Sequence, residues 1–389
     1  MSSTIGNILK LSIFGQSHSA AIGCSLDGLP AGVPIDLDAL QAFMARRAPG
    51  QRDTSTERRE ADSLRVIAGI SEGHTCGAPF AGIIENTNTR SRDYSELRRK
   101  PRPGHADYPA RVRYGNWHDV AGGGHFSGRL TAPLCAAGGL ALQVLATQGV
   151  RIAAHIQQLG PGGAVREGSL CPAICEDGTW PVPAAALAQL AANERELGMP
   201  MVDRAAAESA RQQILDAKDE LDSVGGVVEC VAWGMPAGVG DPMFDGMENR
   251  IAKIAYGIPA VKGVEFGAGF AAAALNGSED NDPWEAGDAG TPAIPYTNNA
   301  GGILGGITTG APIVWRMAVK PTASIGLTQH TVDLDTGDDT VLVVRGRHDP
   351  CIVPRAVPVA EAACALALLD ALIEDGRFAA PAPRHNNAL

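Results

Sequence analysis

Residues Arg102 to Pro133, RPGHADYPARVRYGNWHDVAGGGHFSGRLTAP, gather the groups in this chain best suited to chemistry. Three histidines (His105, His118, His125), four arginines (Arg102, Arg111, Arg113, Arg129) and the run Gly122-Gly123-Gly124 stand just before an apolar segment with helical spacing. A core has no use for that density of charge. Glycines lack a Cβ and let backbone N–H groups approach a ligand, while arginine and histidine offer charge to an anion. Phosphate or the tail of a flavin suits the stretch. Ser127 or Thr131 can cap the helix that follows, which sets helix-end N–H groups beside the triple glycine.

Other positions could join this stretch. Residues 8–14 (ILKLSIF) read as a strand that delivers Gly15-Gln16-Ser17-His18-Ser19 to a turn. There His18 either reaches a cleft or serves as an ordinary surface hydrogen-bonding residue. Arg46 and Arg47 fall in the last turn of an expected helix, where the dipole alone would favour them. The arginine-rich loop 52–59 is harder to explain as packing. Asn298-Asn299-Ala300-Gly301-Gly302-Ile303-Leu304-Gly305-Gly306 could cradle a planar or phosphorylated ligand, though one glycine-rich loop is weak support. A half-buried strand with Ile313, Trp315, Met317 and Val319 in alternation ends at Lys320-Pro321-Thr322, where Lys320 either meets a phosphate or stays in solvent. Asp349 follows Arg347 and His348, an arrangement that suits a structural ion pair and a proton-transfer site equally.

The elements that must position these groups are legible in part. Asp38 is expected to cap a helix carrying Leu37, Leu40 and Met44, and strands are expected at 64–70 and 80–85. A helix is expected over 134–149. Residues 155–200 read as an insertion with one helix and no chemistry. A helix from Asp203 has Ala207, Ala210, Ile214 and Ala217 in phase, and a strand leads through Trp233. Asp241-Pro242 should open a helix that buries Phe244, Met247, Ile251 and Ile254. A strand is expected at 340–345 and a last helix at 354–374, with residues 1–376 forming one domain and 377–389 a loose tail.

With 389 residues, of which 45% are hydrophobic and only 5% aromatic, and with 47 glycines and 26 prolines, the chain should pack small residues and turn often. Its net charge of −11 argues against binding nucleic acid over the whole surface. Between Arg46 and Arg113, however, 14 lysines and arginines face 9 acidic residues, which leaves the remainder at −16. A basic patch on an acidic protein fits a small anionic substrate better than a polymer. Eight cysteines show no close-spaced framework, and no secretory or membrane-spanning segment opens the chain, so reduced thiols in a cytoplasm are expected. The pair Cys171 and Cys175 lacks a second pair to complete a zinc site, and no metal is expected.

Five separated segments resemble the chorismate synthase family in order, from about Gly6 to Ile373. They are GQSHSAAIG (15–23), RPGHADY (102–108), GGGHFSGR (122–129), NNAGGILGG (298–306) with KPTASI (320–325), and RGRHDPCIVPRAVPVAEA (345–362). The resemblance implies an α+β sandwich, antiparallel β-sheets flanking a helical core, and a homotetramer. It implies a lyase that needs FMN in its reduced form and converts 5-enolpyruvylshikimate 3-phosphate to chorismate and phosphate by a 1,4 anti elimination. A separate flavin reductase would supply FMNH2, with NADPH as an indirect reductant and its direct use left open, and neither nucleic acid nor membrane is expected as a partner.

By position, the resemblance places His18 near the flavin and His105 where it can protonate the leaving phosphate. It makes Asp349 the carboxylate that relays the proton at flavin N5, and Ser17 and Ser127 active-site serines. Arg47, Arg129 and Arg347 match arginines that hold phosphate or carboxylates. His125, Phe126, Ser127, Pro259, Ala260, Gly305, Lys320, Pro321, Thr322, Ala323, Ser324 and Arg347 match the flavin-binding positions. The chain departs from the family's usual RGGGRSSARET at 121–131, where His125 and Phe126 replace an arginine and a serine, and Leu130 a glutamate. Gln16, Asp53 and Pro259 also replace the usual residues. These departures leave a second reading, a non-catalytic flavin- or phosphate-binding paralogue.

Overall fold

The computed structural model describes residues 3–50, 52–56, 60–87, 96–171, 182–287, 293–344 and 349–379. The first sheet contains β1 (Thr4–Ile5), β2 (Lys10–Phe14), β3 (Ala21–Asp27), β4 (Leu64–Ala68) and, past the β5–β6 hairpin (Ile70–Ser71 with His74–Thr75), β7 (Phe80–Glu85). All neighbours are antiparallel, in the order β1-β2-β3-β7-β4. Alternation sets its inner face: Ile22, Cys24 and Leu26 of β3 and Phe80 and Ile84 of β7 are all buried.

The second sheet is built from β8 (Arg151–Leu159), β9 (Val165–Arg166), β10 (Gly226–Trp233), β11 (Val261–Phe266) and β16 (Ile313–Val319), in the order β11-β16-β10-β8-β9 and again antiparallel. The expected alternation holds: Ile313, Trp315 and Met317 are wholly buried. Short hairpins β12–β13 (Trp284–Ala286, Ala293–Pro295), β14–β15 (Ile303–Leu304, Ile307–Thr308) and β17–β18 (Gln329–Val332, Asp339–Leu342) lie outside the two sheets.

Helices fill the space between. They are α1 (Leu37–Arg47), α2 (Asp107–Tyr114), α3 (Thr131–Ala146), α4 (Ala184–Leu197), α5 (Arg204–Asp219), α6 (Met247–Ala255), the single turn α7 (Gly277–Asp280) and α8 (Val353–Glu374). α3 lies against the first sheet and α8 against the second, and the two pack on each other. Both are largely apolar, as a helix enclosed by protein must be, and the run Gly128–Ala146 that includes α3, like α8, is long and apolar enough to cross a membrane, yet most of each is buried inside this fold. Small residues bring them close: a Cβ on Gly138 would fall 2.2 Å from Ala362 Cβ. The architecture is therefore an α+β sandwich with antiparallel sheets on either side of a helical centre.

Several expected boundaries move. α1 is capped by Asp36, whose Oδ1 accepts from Ala39 N at 2.9 Å, not by Asp38. The helix expected from Asp241 starts only at Met247. Met243 takes φ +64° and a 3-10 turn intervenes, which leaves Phe244 87% exposed while Met247, Ile251 and Ile254 are buried. Part of the stretch read as an insertion is core sheet, since β8 runs through residue 159. Arg377 donates to Ala237 O (2.6 Å) and Ala379 to Gln148 Oε1 (3.1 Å), so the start of the expected tail is tied down.

The outer face of the second sheet carries an ionic network. His155 is fully buried between Glu167 on Nδ1 and Glu229 on Nε2 (3.2 Å). Glu229 also accepts from Ser169 Oγ (2.7 Å) and Leu170 N (3.0 Å), and Glu167 from Val202 N and Asp203 N. Burial alone would pull the imidazole down from 6.5, but the two carboxylates outweigh it and hold the group above that value. A raised folded pKa stabilises fully below the unfolded value and loses that contribution as pH rises through the folded one. His155→Leu should thus cost about 3–5 kcal/mol in urea unfolding near neutral pH. The difference from wild type should shrink as the pH is raised.

Candidate active site

A cavity of about 860 Å³ opens where α3 and α8 begin, lined by Thr131 of the one and by Ile352, Ala356 and Val359 at the start of the other. On one wall the turn after β2 is pinned to the triple glycine by Ser17 N donating to Gly124 O at 3.1 Å. Gly122, Gly123 and Gly124 have φ of +60°, +85° and +54°, a path that side chains disfavour. Their lack of Cβ is also steric. A Cβ on Gly122 would lie 2.4 Å from His18 Cε1 and 2.5 Å from Ser17 Oγ, and one on Gly123 would lie 3.1 Å from His105 Nε2. The backbone of 122–123 therefore threads between the two imidazoles, and both line the cavity. His18 Nδ1 lies 3.2 Å from Ser17 Oγ, and Ser17 itself is 1% exposed.

His105 is anchored from behind. Its Nδ1 is 2.7 Å from Asp107 Oδ1, and Asp107 also receives Arg102 Nε (2.8 Å), Arg102 Nη2 (2.8 Å) and Arg102 N (3.0 Å). Burial would push the Asp107 carboxyl up, but Arg102 and His105 hold it well below the usual carboxylate range.

A second wall is a buried charge cluster. Arg47, 1% exposed, reaches Asp62 Oδ2 through Nε (2.8 Å) and Nη2 (2.7 Å) and Thr131 Oγ1 through Nη1 (3.2 Å). Arg129 contacts the other Asp62 oxygen, Glu60 (2.9 Å) and Asn86 Oδ1 (3.2 Å). Burial and the nearby Arg47 lower the Arg129 guanidinium from its ordinary value, against Asp62 and Glu60. Among the described residues its buried Nη2 meets no hydrogen-bond partner, which makes it a donor suited to an anion.

Asp349 stands on the α8 side. Thr56 N donates to Oδ1 (2.7 Å) and Arg355 Nη1 to Oδ2 (2.5 Å), and Thr322 Oγ1 donates to its main-chain oxygen (2.8 Å). Burial lowers the Arg355 guanidinium, with Asp349 opposing. The sequence suggested Arg347 and His348 as neighbours of Asp349. Among the described residues its ionic partner is Arg355, within α8, while residues 345–348, including Arg347 and His348, lie outside the described residues.

The third side is a cradle from two strand ends. Pro259 and Ala260 precede β11, Lys320 to Ser324 follow β16, and all of them line the cavity. Ala260 adopts φ +75°, and its carbonyl accepts from Lys320 N at 3.0 Å. Burial, then the nearby Lys262, lower the Lys320 ammonium, as expected of two cations sharing a recess. Paired lysines and hydroxyls fit a phosphate, and the volume admits a planar ring system beside a small acid.

Of the residues expected at the site, His18, His105, Asp349, Ser127, Arg47, Arg129, His125, Phe126, Pro259, Ala260 and Lys320 to Ser324 line one cavity, with Ser17 directly behind. Gly305 is not among the lining residues. It turns the β14–β15 hairpin at φ +62°, with nothing within 4 Å of where a Cβ would stand. His125 presents no free nitrogen, since Nδ1 meets Gly15 O (3.1 Å) and Nε2 meets Ser3 Oγ (3.2 Å). His118 is held by Gly115 O (2.9 Å) and does not line the cavity. Ser127 Oγ accepts from Arg129 N (3.2 Å), capping the 3-10 turn that enters α3. Sequence reading missed Asp107, Glu60, Asp62, Lys262 and Arg355. The acids were masked by the arginines they neutralise.

Two five-stranded antiparallel sheets around paired apolar helices, with imidazoles, guanidiniums and the carboxylates of Glu60 and Asp349 on a single cavity, define a class of α+β enzyme with a site suited to a small molecule. The family model described as chorismate synthase matches residues 9–373. The chain is 46% identical to the chorismate synthase of Lancefieldella parvula over 96% of each chain. It is 43% identical to that of Methanosarcina acetivorans, covering 95% of this chain and 96% of that one. A solved structure titled as chorismate synthase superposes with a TM-score of 0.69 at 25% identity, covering 95% of this chain and 93% of that one. The chain belongs to the chorismate synthase family.

Proposed function

We propose that this protein is a carbon–oxygen lyase that eliminates phosphate from 5-enolpyruvylshikimate 3-phosphate with reduced FMN, giving chorismate. The observation that carries this reading is the placing of His18, His105 and Asp349 on one cavity together with Arg47 and Arg129. The comparisons lend no support to a non-catalytic paralogue.

The substrate is a polyanion with one phosphate and two carboxylates. Arg47 and Arg129, fixed by Asp62, present guanidinium edges that need not reorganise when it binds. His105, protonated at Nε2, can give that proton to a phosphate oxygen as the C3–O bond breaks and the electron pair leaves with phosphate. Asp349 supplies the carboxylate that takes up the proton lost from C6. His18 and Ser17 form a second proton-holding pair against Gly122. The Lys320 to Ser324 cradle with Lys262 would hold the cofactor phosphate, and Pro259 and Ala260 would flank the ring. Reduced flavin, when bound, supplies electron density to the centre that phosphate leaves.

In the same reading the enzyme works in the cytoplasm as a homotetramer, and a separate reductase supplies reduced flavin. Exposed Phe270, Trp284 and Leu304 offer apolar surface for assembly. The test is an anaerobic assay of phosphate and chorismate release with the enolpyruvyl substrate and FMNH2. Equal release of both products is expected. Tight flavin binding with no turnover would instead mark a binding protein.

A further inference from the structure

Resting on the reading of His105 as the proton donor, we propose that the Arg102–Asp107 ion pair is a positioning device that fixes which nitrogen of His105 faces the substrate. Asp107 is 5% exposed, and four donors converge on its two oxygens. Oδ2 receives Arg102 N (3.0 Å) and Arg102 Nε (2.8 Å), while Oδ1 receives Arg102 Nη2 (2.8 Å) and His105 Nδ1 (2.7 Å). A bare Nδ1 at 2.7 Å from a carboxylate oxygen would set two lone pairs against each other, so Nδ1 carries hydrogen. Arg102 Nη2 has two hydrogens, one on Oδ1 and one toward Nδ1 at the longer 3.1 Å, but the closer 2.7 Å approach of Nδ1 to Oδ1 is favourable only with hydrogen on Nδ1. The remaining donor edge of Arg102 is tied down as well, with Nη1 donating to Ser324 Oγ at 3.1 Å. The ion pair is thus braced from the cradle side and cannot turn with the ring.

The consequence is chemical. With Nδ1–H kept on Asp107, Nε2 is the nitrogen at Gly123 and the cavity. When the Nε2–H bond breaks and an O–H bond forms on the leaving phosphate, the charge lost is that of the imidazolium, and the ring is left neutral with Nδ1–H in place. The opposite tautomer has only a neutral Nε2–H, and giving that up would leave an imidazolate. Asp107 therefore stabilises the imidazolium and the Nδ1–H ring it leaves behind, and keeps Nε2 as the nitrogen that gives up the proton.

Asp107→Asn discriminates. The amide oxygen must take the Oδ2 position, where a main-chain N–H and Arg102 Nε both need an acceptor, and this turns the NH2 toward Nδ1. Long-range 1H–15N spectra of the full chain should show neutral His105 as Nδ1–H in wild type and as Nε2–H in Asp107→Asn. Asp107→Ala, which offers no acceptor, should revert to the Nε2–H form that free histidine prefers. Asp107→Asn should lower kcat by about 10²–10⁴-fold with KM little changed. On a His105→Ala background it should cause no further loss, and Asp107→Glu should restore part of kcat. An unchanged tautomer in both variants, or an equal further loss on the His105→Ala background, would overturn the proposal. Wild-type turnover by His105→Ala alone would instead reject His105 as the donor while leaving the tautomer result standing.

Discussion

Asp349→Asn is expected to lower kcat by about 10²–10⁴-fold, the range that separates a positioned proton acceptor from none. An amide cannot take up a proton at neutral pH. Nor can it accept from both Thr56 N and Arg355 Nη1, which meet opposite oxygens of the carboxylate at 2.7 and 2.5 Å. One of those contacts must turn repulsive, and Arg355 loses its counterion. Because both side chains of the pair keep some contact with water, at 16% and 20% exposure, the stability loss should stay below the about 3–5 kcal/mol of a fully buried broken pair. Arg47 and Arg129, proposed to hold substrate, take Asp62 and not Asp349 as their counterion, so KM should change only a few-fold. Single-turnover phosphate release with reduced flavin, alongside thermal unfolding, checks both statements. A variant that keeps wild-type kcat would remove Asp349 from the chemistry.

Gly122→Ala should lose at least about 10²-fold in activity, although it adds only one methyl group to the wall of the cavity. At φ +60° an L-residue costs about 1–2 kcal/mol. The larger effect is steric: the new Cβ would stand 2.4 Å from His18 Cε1 and 2.5 Å from Ser17 Oγ, far inside contact distance. Either the turn after β2 retreats or the glycine loop shifts toward His105. Both imidazoles cannot keep their places. Catalysis falls steeply with misplacement of about 1 Å, whereas folding loses only the strain, so the melting point should drop by a few degrees while turnover collapses. Activity near wild type would show that the two histidines move independently of this loop.

How far these arrangements could be read from sequence depends on the range of the interaction. Period-2 burial in β16 and the in-phase alanines of α5 are local signals, and they hold. His18 at a strand exit was legible for the same reason. The cap of α1 was displaced by two residues because Asp36 and Asp38 both suit the role, and only main-chain direction chooses between them. Phe244 looked buried because helical spacing cannot register the break at Met243 and Gly246. Arg355 as a partner of Asp349 was not foreseen because it stands six residues on, in the first turn of α8, and only the fold brings it back onto the carboxylate. Asp62 was invisible for a deeper reason. A lone aspartate after an arginine-rich loop reads as solvated charge, and only the fold shows it wedged between Arg47 and Arg129.

The near contact of Gly138 with Ala362 bears on ligand size. Opposite sides of the chamber hang from the starts of α3 and α8, and these two rods meet with no methyl group to spare between them. The gap they define cannot widen by prying them apart without opening the hydrophobic interior. Its aperture is thus set by main-chain geometry, and only side chains at the rim can adapt. Analogues of the ring acid with a bulkier substituent on the buried edge should therefore be refused outright instead of bound weakly.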